Sequence, residues 1–152
     1  MPTVVLGYGD PRPWQQKWQD VLDALQEVEN VYTRREGRST DDVRRVIEEF
    51  FKICRELADW LWQNAGLAKA TVMSCVLNDP HLRLADAVAQ TTKHHTRMGS
   101  DPITARITEI RSAPEDLGAM IGWSRPSGAS GSEDARELAR NCVQAWRGFL
   151  GL

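Results

Sequence analysis

Apolar residues recur at spacings of three and four through four stretches of the chain, and each such stretch predicts an amphipathic helix. The first, over 13–34, carries Trp14, Trp18, Val21, Leu22, Leu25, Val28 and Tyr32 on one face, behind Pro11 and Pro13. The second, over 41–65, carries Val43, Val46, Ile47, Phe50, Phe51, Cys54, Leu57, Ala58 and Leu61. That stripe is wide enough to meet two neighbours, so this helix is expected at the centre of the fold. Ser39 or Thr40 can cap it, Asp41 and Asp42 sit in its first turn, and Gly66 stops it. The stretch 68–77 reads as a short apolar helix or turn. A third main helix is predicted over 80–96, with Asp79 as its cap and Pro80 at the first helical position, where no amide hydrogen is required. The fourth, over 132–150, places Ala135, Leu138, Ala139, Cys142, Ala145, Trp146, Phe149 and Leu150 on its apolar side.

Between the last two helices the period falls to two. Ile103, Ala105 and Ile107 alternate with Thr104, Arg106 and Thr108, and Leu117, Ala119, Ile121 and Trp123 alternate after the turn Ala113-Pro114-Glu115-Asp116. This predicts a β-hairpin over 103–123. The tract SRPSGASGS, 124–132, has nothing to bury and reads as a surface loop, while 1–9 reads as a loose arm. The expected architecture is one mainly α domain over 1–152: an antiparallel four-helix-type bundle with a small hairpin before the last helix.

The composition fits that picture. Of 152 residues, 41% are hydrophobic and 26% charged, and the formal net charge is −2. A core of ordinary size is therefore within reach. No apolar run approaches a membrane span, and the N-terminal residues lack the basic start of a signal peptide, so no membrane partner and a cytoplasmic location are expected. Cys54, Cys75 and Cys142 are widely spaced in apolar contexts, which fits buried thiols better than a disulfide framework.

All three histidines fall on the predicted 80–96 helix. Leu84, Val88, Thr92 and His95 share one face, and Asp86, Gln90, His94 and Arg97 form a polar stripe with Lys93 beside it. His94 and His95 are adjacent and point about 100° apart, and His81 lies far along the axis, so no metal site is expected. No cofactor motif occurs either: Gly7-Tyr8-Gly9 leads into prolines, and the glycines at 128 and 131 have no strand feeding a sharp turn. Acid–base chemistry suits the stripe better. His94 can exchange protons beside Asp86, while Gln90 and Lys93 hold a polar or anionic ligand.

Two further patterns bear on partners. Arg34, Arg35, Arg38, Arg44 and Arg45 can contact phosphates, although Glu36, Asp41 and Asp42 offset their field and no aromatic side chain stands among them for base stacking. Nucleic acid is thus one candidate partner. Trp60 and Trp62 flank Leu61 and cannot both share its face, so at least one is expected to be partly exposed, where it can serve a homodimer or another protein partner.

The segments FFKICRELADWLWQ (50–63), LADAVAQTTKHH (84–95) and DARELARNCVQAWRGFL (134–150) resemble a group of small bacterial helical-bundle proteins. These carry a Lys-His motif at the end of one helix and a late hairpin, and they are similar in turn to HEPN-type bundles. The resemblance implies a bundle whose relatives include toxin and defence ribonucleases, partners of nucleotidyltransferases and silent scaffolds. Ribonuclease members place a histidine four to six residues after an arginine on one helix, and no arginine stands so before His94 or His95. Lys93 and His94 are the residues onto which the Lys-His motif carries over. The leading expectation is therefore a HEPN-like binding or accessory module. The alternatives are a HEPN-like ribonuclease or other acid–base enzyme using Asp86, Gln90 and His94, and a small-ligand protein walled by tryptophans.

Overall fold

The long central helix organises the molecule. The computed structural model describes residues 14–33, 39–93 and 102–152, the side chains of 91–93 excepted. In chain order its elements are α1 (Trp14–Thr33), α2 (Thr40–Asn64), α3 (Lys69–Asn78), α4 (Pro80–Lys93), β1 (Thr104–Ala113), β2 (Asp116–Ser124), β3 (Ser130–Asp134) and α5 (Ala135–Leu150). Helix α2 begins where Ser39 accepts a hydrogen bond from the Asp42 amide at 3.1 Å, with Asp41 and Asp42 at the positive end of the helix dipole. Its buried side runs Val43, Ile47, Phe50, Phe51, Cys54, Leu57, Ala58 and Leu61, and α1, α3, α4 and α5 all pack on it. The Phe50 and Phe51 rings meet edge-on at 5.2 Å.

Asp79 serves two helices. Its backbone N–H closes α3 on the Cys75 carbonyl, and its carboxylate accepts from the His81 and Leu82 amides at 2.9 and 3.0 Å to open α4. The core continues through Leu82, Leu84, Ala85, Ala87 and Val88 of α4 and through Leu138, Ala139, Cys142 and Trp146 of α5.

The hairpin forms at the expected turn, with Ala113 opposite Asp116 and Ile107 opposite Ile121. Alternation buries Ala105, Ala119 and Ile121 against the helices. The register shifts between Ile107 and Glu109, leaving Thr108 as a bulge.

Two expectations need correction. The tract 124–132 is not wholly a loop, because Ser130–Asp134 forms β3, antiparallel to β2, and completes a three-stranded sheet in the order β1-β2-β3. The last helix accordingly starts at Ala135 and not near 132. Glu133 and Asp134 belong to the strand, and Asp134 then caps the helix by accepting from the Glu137 amide at 3.0 Å. Nothing in SGSED has strand propensity; its pairing with β2 and the glycine at 131 explain it. An indole lies so close over Gly131 that a Cβ there would stand 2.8 Å from the Trp123 ring. The described residues are thus mainly helical, with five helices and a small antiparallel sheet among them. Residues 94–96 of the predicted histidine helix and the arm 1–9 lie outside the described residues.

Tyr32 ties the layers together. Its hydroxyl accepts from the Ala119 and Arg136 amides at 3.2 and 3.1 Å, and its own proton faces the Asp134 carboxylate at 2.9 Å and the Ala119 carbonyl at 3.1 Å. Burial pushes its pKa up to about 12, the Asp134 charge adding to the rise against the two amide hydrogen bonds. The Arg136 guanidinium lies over its ring at 4.5 Å. Gly118 is needed beside it, since a Cβ there would come within 2.9 Å of the ring.

Candidate groove between helices α2 and α4

The polar side of α2 repeats as regularly as its buried side. Asp41, Arg45, Glu48, Lys52, Arg55 and Asp59 follow one another at alternating steps of four and three, which lines them along one face of the helix. Across from that face lies the C-terminal half of α4. Between them runs a groove of about 580 Å³, to which Ala89 and Gln90 contribute from α4. A second cavity of about 320 Å³ adjoins it, lined by Arg44, Glu48, Val88, Arg106, Ile107 and Thr108. Arg44 and Glu48 border both, so the two spaces meet at the start of α2, and the smaller one lies against β1.

Much of the groove's charge is internally matched. Lys52 lies 3.9 Å from Glu49 and 4.0 Å from Glu56, Arg55 lies 3.1 Å from Asp59, and Arg45 pairs with Asp42. Glu56 also receives Lys17 of α1 at 2.8 Å. The exposed pairs, Arg45 with Asp42 and Lys52 with Glu49, add little to stability, whereas Lys17 is buried, and together the pairs set the charge pattern of the groove.

Of the residues expected to act together, Asp86 and the Gln90 side chain lie among the described ones, and their surroundings differ. Asp86 is 6% exposed and faces α2, where Arg55 Nε stands 2.6 Å from its carboxylate, too far off the N–H direction for a hydrogen bond, so the contact is ionic. Gln90, one turn on, lines the groove. The Lys93 side chain and His94 lie outside the described residues, as do His95, Arg97, Arg34, Arg35 and Arg38. Arg44 reaches both cavities and Arg45 one. His81 stands at the opposite end of α4, its Nδ1 3.7 Å from Asp79.

Trp60 and Trp62 are both half-buried. Trp62 donates to Asp59 at 3.4 Å and lies 4.8 Å beneath Lys69. Trp146 is fully buried and donates to the Cys54 sulfur at 3.4 Å. No tryptophan borders either cavity of the groove.

The three cysteines are free. Burial and the neighbouring Cys54 push the Cys142 thiol well up, and burial with the Asp79 charge raises Cys75, which disfavours the thiolate at both. Among the described residues, no group of three or more histidine, cysteine, aspartate or glutamate side chains is placed to hold a metal ion, and no helix is long and apolar enough to cross a membrane.

Sequence reasoning missed the α2 face. The signal was present, since its charged positions keep the step of the apolar ones, but a charged helix face reads as a solvated surface unless an opposing element is known. Arg106 was likewise visible only as the outward residue of a strand.

Compared with known proteins, the chain matches no family model, no curated protein and no solved structure.

Proposed function

We propose that this protein is a cytoplasmic, HEPN-like binding or accessory module, its four longer helices forming a bundle-type scaffold whose working surface is the α2–α4 groove. The observation that carries this reading is the groove itself: a trough of about 580 Å³ bordered by nine ionisable side chains and Gln90. Its lining joins the charged heads of these side chains to their apolar stems, which suits a segment of a protein partner that the charges would orient and select. An acid–base enzyme built on Asp86 is less well supported, because that carboxylate is buried against Arg55. The tryptophan-walled reading is less well supported, because no tryptophan borders either cavity of the groove and the space beside Trp146 is only about 10 Å³. Self-association through Trp60 and Trp62 and the contribution of Lys93 and His94 remain part of the proposal, with nucleic acid as the lesser partner.

The test is photocrosslinking in the native cell with a photoreactive residue at Gln90, and at the exposed Gln144 of α5 as a control. One protein species captured from position 90 and not from 144 supports the reading. Equal labelling from both positions overturns it.

A further inference from the structure

We infer that the β1 end of the groove is an oxyanion subsite for a phosphoryl group that carries an O–H donor, either hydrogen phosphate or a hydroxyl-bearing monoester. The inference extends the groove reading above by giving one end of that surface a ligand chemistry. Arg44 from α2 and Arg106 from β1 border the same space of about 320 Å³. Among the described residues neither has a carboxylate within 4.0 Å, whereas Arg45, Arg55, Arg111 and Arg140 are each engaged by one. Two guanidinium groups brought to one cavity by different elements, neither held in an ion pair among the described residues, form a receptor for an oxyanion.

A second observation comes from the strand. A regular strand turns alternate residues to opposite faces, yet Arg106, Ile107 and Thr108 all border this cavity. The register shift at Thr108 accounts for it, and a bulge is the usual means of re-aiming a strand beside a site. Val88 and Ile107 supply apolar walls beside the two arginines.

Glu48 sets the selectivity. It borders the same space, so the lining keeps one net positive charge, and its ionised carboxylate only accepts hydrogen bonds. A phosphoryl group with a protonated oxygen or a neighbouring hydroxyl can donate to it. Sulfate, which is fully deprotonated near neutral pH, has no proton to donate to Glu48 and meets its charge unbonded.

The experiment is an NMR titration of the nitrogen-15-labelled chain at low salt with inorganic phosphate, sulfate and glycerol 3-phosphate. Phosphate should shift the Arg106, Ile107 and Thr108 amides and bind about tenfold more tightly than sulfate. Arg44→Gln and Arg106→Gln should each weaken phosphate about tenfold, and Glu48→Gln should bring sulfate to within about twofold of phosphate. Arg147→Gln, on the exposed side of α5, should change nothing. All four positions are exposed or half-exposed, and thermal melts confirm that the variants fold. Glycerol 3-phosphate binding more tightly than phosphate marks an ester as the source; the reverse marks the free anion. Equal affinity for phosphate and sulfate in the unaltered chain, or indifference to both arginine substitutions, overturns the subsite. Crosslinking at Gln90 can succeed in either case, so failure of the subsite and failure of the groove reading are told apart.

Discussion

At the scale of single residues, one half-buried tyrosine and one buried carboxylate carry consequences out of proportion to their size. Tyr32→Phe removes the acceptor of two backbone amides and the donor facing Asp134, and should cost about 2 kcal/mol in denaturant unfolding. The hydroxyl's pKa is about 12 in the folded chain against an ordinary 10.0, so the folded state holds this proton more tightly. Its contribution is therefore complete below pH 10 and fades as the pH rises from there through about 12, a decline that Tyr32→Phe should flatten. Asp86 is the second case. Asp86→Asn leaves Arg55 with Asp59 alone and should lower stability by about 2 kcal/mol, read from the unfolding midpoint, while crosslinking from Gln90 stays unchanged. Loss of crosslinking with full stability would instead return Asp86 to the ligand surface. Its burial was not legible in the sequence, because the spacing that lines Asp86 up with Gln90 says nothing about which helix stands opposite.

Among the elements, legibility followed side-chain pattern. Helix α2 could be read almost to its ends because its core face repeats without a break from Val43 to Leu61 and its Ser39 cap precedes two acidic residues. The hairpin was equally plain, since Ala105, Ala119 and Ile121 alternate inward around a proline turn. Strand β3 was hidden, for its bonds are made by backbone and its sequence consists of small and acidic residues that favour loops and caps. Gly131 is the hinge of that account. Gly131→Ala sets a methyl group against the half-buried Trp123 indole and should cost about 1 to 2 kcal/mol, with a shift in tryptophan emission as the ring gives way. An unchanged emission spectrum and stability would mean that β3 does not depend on the indole covering it. The groove was half visible in the same sense: each wall could be drawn as a polar helix face, but only the packing of α4 on α2 shows that the walls converge.

For the whole molecule, the Tyr32 hydroxyl is a single atom on which the end of one helix, the middle strand and the start of the last helix all depend. Ala119 and Arg136 are far from each other along the chain, yet their amide protons share this one acceptor. Their hydrogen exchange with deuterated solvent should therefore be correlated, the two protons being released by the same opening event and at matched rates. In Tyr32→Phe both should accelerate together, leaving the amides of the α2 core as slow as before, and independent rates in the unaltered chain would show that sheet and terminal helix open separately.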